Sequence, residues 1–438
     1  MDALQPISGT PALIAMILKV TVVFGIVMLV VAYTTLAERR ISAWIQDRTG
    51  PNRVGPFGLL QPIADGIKNF LKEETLPATA NKIFFMLGPM LTMVPALVLF
   101  AVIPFAAPLP TPWGVVDMIV ADVPIGILYV LAIASLGVYG LVLGGWSSNN
   151  KYAFLGGLRA SAQMVSYEVP LGLAVVAVLL LAGDVTLTEM VWRQQQLDMW
   201  FALPLSLAFI LFITSAFAES NRLPFDMPEA ESELVTGYHT EYSSMKFSMY
   251  MIAEFGHMVT ASALMATLFF GGWDLPGTWD DAFWYQGQLI KDCVISAGAC
   301  VPGTEVAAHP AVWKSLATFL GFGLKTAFFL VVYIWVRWTL PRFRYDQVMA
   351  LGWKVLLPTA LAYVMLVAGS ILVLDTLGVS WGFWFGLALT GVSAVATFLF
   401  FYFIDRGHTI AGAGALPVQR ALLHHEPLPA VDPAPAGD

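Results

Sequence analysis

The sequence predicts an all-α integral membrane protein, a bundle of about nine transmembrane helices, and excludes a soluble enzyme domain. Three observations carry that prediction. Of the 438 residues, 58% are hydrophobic and 12% are charged, against roughly 25% charged in an average soluble domain, so the polar surface that water demands is missing. The apolar residues gather into runs of about 20 residues, the length a helix needs to cross roughly 30 Å of hydrocarbon. These runs are continuously apolar, as in AVVAVLLLA at 174–182, whereas the strands of a membrane barrel alternate apolar and polar faces.

In chain order the runs fall near 12–37, 83–107, 122–146, 162–183, 200–218, 248–272, 314–339, 354–375 and 380–403. The first has no small-residue cleavage site and reads as a retained span rather than a signal peptide. Residues 1–410 then form a single polytopic membrane domain. The stretch 411–438, rich in Ala, Pro and Gly and ending APAGD, reads as a disordered tail to which no function is assigned.

Lys and Arg collect in alternate loops. The first loop carries Arg39, Arg40, Arg48, Arg53, Lys68, Lys72 and Lys82, and later ones add Lys151, Arg159, Arg222, Lys246, Arg337, Arg342, Arg344, Lys354, Arg406 and Arg420. The other side holds Arg193, Lys291 and Lys314. The positive-inside rule therefore predicts a cytoplasmic C-terminus and an N-terminus outside. Trp146, Trp200, Trp273, Trp313, Trp338 and Trp381 sit near run ends, as interfacial belts require. The stretch 273–313 is then an external loop holding Cys293 and Cys300. Their spacing leaves both a disulfide and two free thiols open. Two cysteines are too few for an iron–sulfur cluster bound by this chain alone. No segment has the strand, glycine-rich turn and helix of a nucleotide site, and no metal site is predicted.

Two loops on the cytoplasmic side are richer in special residues than a connector needs. In the first, 38–82, Gly50, Pro51, Gly55, Pro56 and Gly58 force a shaped turn that carries Arg48 and Arg53. Leu59, Leu60, Ile63, Ile67, Phe70 and Leu71 follow at helical spacing, with Asp65, Lys68, Asn69 and Lys72 between them. That pattern predicts an amphipathic helix at the membrane surface. A positively charged topological anchor is the plain reading; a binding chamber for an amphipathic ligand is the functional one.

The second loop, 219–247, and its flanks hold Glu219, Asp226, Glu229, Glu231, Glu233, Glu241 and Glu254 against Arg222 and Lys246. An acidic loop docking a basic partner is the plain reading. Against it stands depth: Glu168 and Glu254 lie about 10 Å inside their spans at the helical rise, and Glu219 closes another. Carboxylates inside a membrane are costly and by default mark ion or proton routes. Crowded like charges cannot all ionise, so one among Glu168, Glu219, Glu231, Glu233 and Glu254 is expected to hold a proton. His257 falls on the face of Glu254, as a structural histidine or as a relay. Lys325, near the middle of its span, calls for a wet interior or a carboxylate partner, and Lys19 is expected to snorkel outward.

The strings AERRISAWIQDRTGPNRVGPFGLLQPIADGIK, LGGLRASAQMVSYEV and AESNRLPFDMPEAESELVTGYHTEYS resemble the signatures of the H-subunit family of bacterial NADH:quinone oxidoreductase, the counterpart of mitochondrial complex I subunit 1. The resemblance covers most of residues 10–405. It implies a multi-pass membrane subunit, in the plasma (inner) membrane of a bacterium, of a proton-pumping complex; the subunit forms the quinone chamber with a peripheral redox arm and carries the first part of the coupling path. It implies that Arg39, Arg40, Arg48 and Arg53 surround the quinone, ubiquinone or menaquinone, and that Glu168, Glu219, Glu231, Glu233 and Glu254 couple quinone chemistry to protons. The resemblance also implies that NAD, FMN and iron–sulfur clusters belong to partner subunits, and that antiporter-like subunits extend the membrane arm. Two other readings are a related membrane subunit of an energy-converting hydrogenase or other respiratory dehydrogenase, and a stand-alone ion transporter. The latter would be supported by inverted repeats, and none is evident.

Overall fold

Segments this apolar satisfy their backbone hydrogen bonds internally, which in lipid leaves the helix as the economical form. The computed structural model describes residues 9–227, 236–275, 283–285, 288–292, 295–296, 299–300, 306–307 and 311–405. The helices are α1 (Thr10–Ile45), α2 (Gln61–Leu71), α3 (Lys82–Val98), α4 (Gly126–Ser147), α5 (Lys151–Ala182), α6 (Leu187–Gln196), α7 (Ser206–Glu219), α8 (Ser244–Phe269), α9 (Val312–Thr339), α10 (Tyr345–Thr376) and α11 (Phe383–Asp405). Among the described residues eight are long and apolar enough to cross a bilayer, all but α2, α6 and α7.

The fifth apolar run differs from expectation. Its helix, α7, has 14 residues, about 21 Å of rise, and the preceding residues are not helical. That irregular backbone is sheltered: Phe201 and Leu205 are fully buried. The side chain of Gln194 accepts from the amides of Phe201 (3.1 Å) and Gly271 (2.9 Å) and donates to the Thr267 carbonyl (2.9 Å). Non-helical backbone survives at membrane depth only when protein supplies such partners.

The interior helix is α8, with 78% of its apolar window buried, against 11% in α1 and 17% in α11, which face outward. Around it, α8 packs on α3, α9 and α1; α4 lies between α3 and α5; α5 also meets α7 and α10. The α3–α4 approach depends on glycine: a β-carbon at Gly140 would stand 2.7 Å from the Gly88 carbonyl oxygen. Helix α10 contains a π-helical turn at Leu351–Leu356 and is tied to α5, Tyr167 donating to the Val348 carbonyl (2.8 Å) and Trp353 Nε1 to Ser166 Oγ (3.0 Å). The α3–α4 connection holds a hairpin of β1 (Leu109–Thr111) and β2 (Gly114–Val116). A groove of about 890 Å³ runs along α1, α9 and this hairpin.

The intramembrane lysines reach backbone carbonyls. Lys325 meets the segment that follows α8. Its Nζ donates to the carbonyls of Phe270 (2.8 Å), Gly272 (2.9 Å) and Asp274, where α8 ends. The last carbonyls of a helix lack intrahelical donors and carry partial negative charge, so an ammonium caps them well. Lys19 reaches the carbonyls of Asp117 (3.1 Å) and Ile119 (2.8 Å). Short strands lie within 283–307. Cys293, with its pairing to Cys300, and the tail from 411 lie outside the described residues.

A candidate chamber and a buried carboxylate network

The glycine-rich turn is built as its composition demands. Gly55 and Gly58 both have φ of 72°, and a β-carbon on Gly58 would stand 2.3 Å from the Pro51 carbonyl oxygen. Only glycine fits there. The turn leads into α2, whose polar side is fastened inward. Asp65 pairs with Arg39 (2.5 Å) and accepts from Gln61 (3.1 Å), while Ser244 of α8 donates to the carbonyls of Asn69 and Lys72 (both 2.8 Å). Ile63, Ile67 and Phe70 point outward, each more than half exposed. Beside this helix lies a chamber of about 250 Å³ lined by Glu38, Arg39, Ser42, Arg48, Pro51, Arg337 and Trp338. Of the four sequence-predicted arginines, Arg39 and Arg48 line it. Arg40 instead donates to the Pro51 carbonyl (3.5 Å) and braces the turn, and Arg53 is exposed on it.

The floor of the chamber is an ion-pair network. The Glu38 carboxylate accepts from Arg222 Nη1 (3.1 Å) and from Arg337 Nη1, and Arg222 Nε reaches Glu254 Oε1 (2.7 Å). The Arg222 guanidinium lies 4.3 Å from the Phe255 ring centroid. Two guanidiniums and two carboxylates thus balance, and a second pair, Arg342 with Asp226 (2.9 Å), adds no net charge. Burying charge is tolerable only when it is paired in this way.

Deeper in the bundle the balance ends. Glu168 accepts from Ser135 Oγ and is an electrostatic neighbour of Glu219. Among the described residues neither of these carboxylates is ion-paired. Two cavities of about 30 Å³ adjoin Glu219. Glu219, Ser220 and His257 line both, and Glu254 lines one. The structure therefore brings Glu168, Glu219 and Glu254 together. Glu231 and Glu233 lie outside the described residues.

The opposite end of the bundle holds a smaller acidic group. Asp122 accepts from Thr188 (3.1 Å), and Glu189 of α6 pairs with Arg193 (3.3 Å). Burial pushes the Glu189 carboxyl up to about 7, with Arg193 pulling against it. At the arginine-rich end, burial instead pushes the His239 imidazole down to about 4.

Sequence reasoning passed over Glu38, the arginine pair that clasps it, and Asp65. Glu38 stands in AERR at the end of the first apolar run, where a charge reads as a boundary mark. A signal was present: Glu38 and Ser42 are four residues apart and so share a helix face, which is the face turned to the chamber.

Fold and site together define a polytopic helical membrane protein with a charged chamber at one end that leads down to a buried carboxylate network. The chain belongs to the NADH dehydrogenase family, whose family model matches residues 18–368. It is 44% identical over 356 residues to an NADH-quinone oxidoreductase H-type subunit of Cytophaga hutchinsonii, covering 81% of this chain and 95% of the relative. It is 46% identical over 360 residues to NADH-ubiquinone oxidoreductase chain 1 of Chondrus crispus, covering 82% and 98%. To the NADH-quinone oxidoreductase H-type subunit of Rhodospirillum rubrum it is 45% identical over 347 residues, covering 79% and 91%.

Proposed function

We propose that this chain is the membrane subunit of a proton-pumping NADH:quinone oxidoreductase, and that it supplies the membrane side of the quinone chamber and the first part of the path coupling quinone reduction to protons. The observation that carries the reading is the chamber of about 250 Å³ between Arg39, Arg48 and Glu38. On one side it has a surface helix with an outward apolar face, and below it the Arg222 network. An isoprenoid tail enters from lipid along that face while its polar headgroup meets the arginines. The remaining chamber wall belongs to the peripheral arm. That arm also holds NAD, FMN and the iron–sulfur clusters, and the arginine-rich end faces the cytoplasm.

Beneath the chamber, Glu168, Glu219 and Glu254, joined by Glu231 and Glu233 from the acidic loop, carry the coupling. Crowded carboxylates in a partly dry site share protons rather than all ionising. A change of charge at the quinone then alters which of them is protonated, and the change passes to antiporter-like partners.

Arg39→Ala in the assembled complex tests the chamber. Quinone reduction and sensitivity to quinone-site inhibitors should fall by about tenfold, the worth of one charge-assisted hydrogen bond, while NADH oxidation by ferricyanide stays near wild type. Equal loss of both activities would show a general structural role instead.

A further inference from the structure

The two cavities of about 30 Å³ lie side by side, and each has room for a water molecule. One reaches Glu254, Asn221 and Tyr250. The other continues past Leu131, Ala134 and Leu171. Leu171 stands one helical turn beyond Glu168 on the same face of α5, and Ser135, which follows Ala134, donates to Glu168. Glu219, Ser220 and His257 are common to both, so Glu254, held by Arg222, shares one cavity with Glu219 and His257, and the other leads from those two residues towards the Glu168 side.

Among the described residues lining either cavity, His257 alone carries a nitrogen base. It follows Glu254 by one turn of α8. Its Nε2 is turned to α4 at Gly137, where a β-carbon would lie 3.4 Å away. Glycine at that position leaves the ring space. An imidazole can accept a proton at one nitrogen while giving one from the other, which neither a hydroxyl nor an amide at the same depth does as readily.

We propose that His257 is a proton-relay residue, passing protons between Glu254 and the Glu219–Glu168 pair through water in the two cavities. This rests on the coupling-path reading above. In one passage Glu254 loses a proton to the water beside it, one ring nitrogen takes a proton from that water, the other nitrogen releases one, and Glu219 gains it. The ring is neutral before and after, no electron moves, and a turn of the ring beside Gly137 again presents an N–H towards Glu219 and a lone pair towards Glu254.

The test uses the assembled complex in inverted membrane vesicles, with NADH:ferricyanide activity as the control for the donor arm. His257→Gln keeps hydrogen bonding and loses titration. Quinone-linked turnover should fall by roughly an order of magnitude, the proton-to-electron ratio should drop, and the solvent deuterium isotope effect should rise, which a purely structural loss would not cause. Gly137→Ala, a milder change that leaves His257 in place but sets a methyl in contact with the ring, 3.4 Å from Nε2, and so hinders its turn, should give a smaller loss with the same isotope signature, and it decides the matter if His257→Gln fails to assemble. Wild-type turnover, ratio and isotope effect in these variants, beside an impaired Glu219→Gln, overturns the relay and leaves the coupling path standing. Wild-type behaviour in all three overturns both.

Discussion

At the arginine-rich end, buried charges answer one another: Glu38 is clasped by Arg222 and Arg337, and Arg222 also holds Glu254. On the other side of the bundle the membrane-embedded cations donate to backbone, Lys325 to three carbonyls at the end of α8 and Lys19 to two just beyond β2, where the Asp117 carboxylate is also an electrostatic neighbour. The two solutions differ in consequence. A carbonyl cannot change its charge, so a lysine on carbonyls is an anchor. A carboxylate can take a proton and an arginine can exchange partners, so a network of side-chain charges can be redrawn when a neighbour changes.

The largest effect that would test this contrast is expected from Arg222→Ala. It leaves Glu38 with Arg337 alone and Glu254 without its cation, a cost of about 3–5 kcal/mol for a broken buried pair. The amount of assembled complex on a native gel should collapse. Normal assembly would mean that the network is wet and loosely held, and the contrast between the two ends would be lost. A smaller effect is expected from Lys325→Met, which strips the cap from the end of α8 at about 1–3 kcal/mol for the exposed carbonyls. Thermal stability should fall while turnover per assembled complex stays near wild type. A loss of turnover at unchanged stability would make Lys325 part of the moving machinery rather than an anchor.

The smallest effect is a pair of opposite pH responses. Glu189 is raised to about 7 from an ordinary 4.5, so its contribution is complete below pH 4.5 and is lost as pH rises through 7. His239 is lowered to about 4 from 6.5, so its contribution is complete above pH 6.5 and is lost as pH falls towards 4. Amide exchange, corrected for intrinsic rates, should loosen α6 on going from pH 5 to 8 and loosen 236–243 on going from pH 7 to 5, each by roughly ten- to a hundredfold. Glu189→Gln should remove the first response and leave the second.

How far the sequence reveals this molecule depends on distance along the chain. Apolar runs and their helices are local properties, and the long spans follow from them. The fifth run misleads because Trp200, Phe201, Leu203 and Leu205 extend its hydrophobicity backwards, while the non-helical Phe201 amide is satisfied by Gln194, a side chain held in turn by Thr267, 73 residues from it. Helix α6, LTEMVWRQQQ, carries too little apolar pattern to announce itself. The turn was readable because Gly55 and Gly58 are local requirements. The clasp on Glu38 was not, because its partners lie 184 and 299 residues further on. Likewise Lys325 donates to three backbone carbonyls, which no side-chain pattern can betray.

Helix α1 is 36 residues long, about 54 Å at the helical rise, and it is one rod from the groove beside α9 to the chamber. Its apolar half is scarcely covered by protein, so its direction is set by its packing on α8 and α9 and by the hold of Lys19 on the Asp117 and Ile119 carbonyls. Glu38 and Arg39 ride on the other end, roughly 29 Å beyond Lys19 by the same rise. The lysine anchor and the charges around the chamber are thus two ends of one lever.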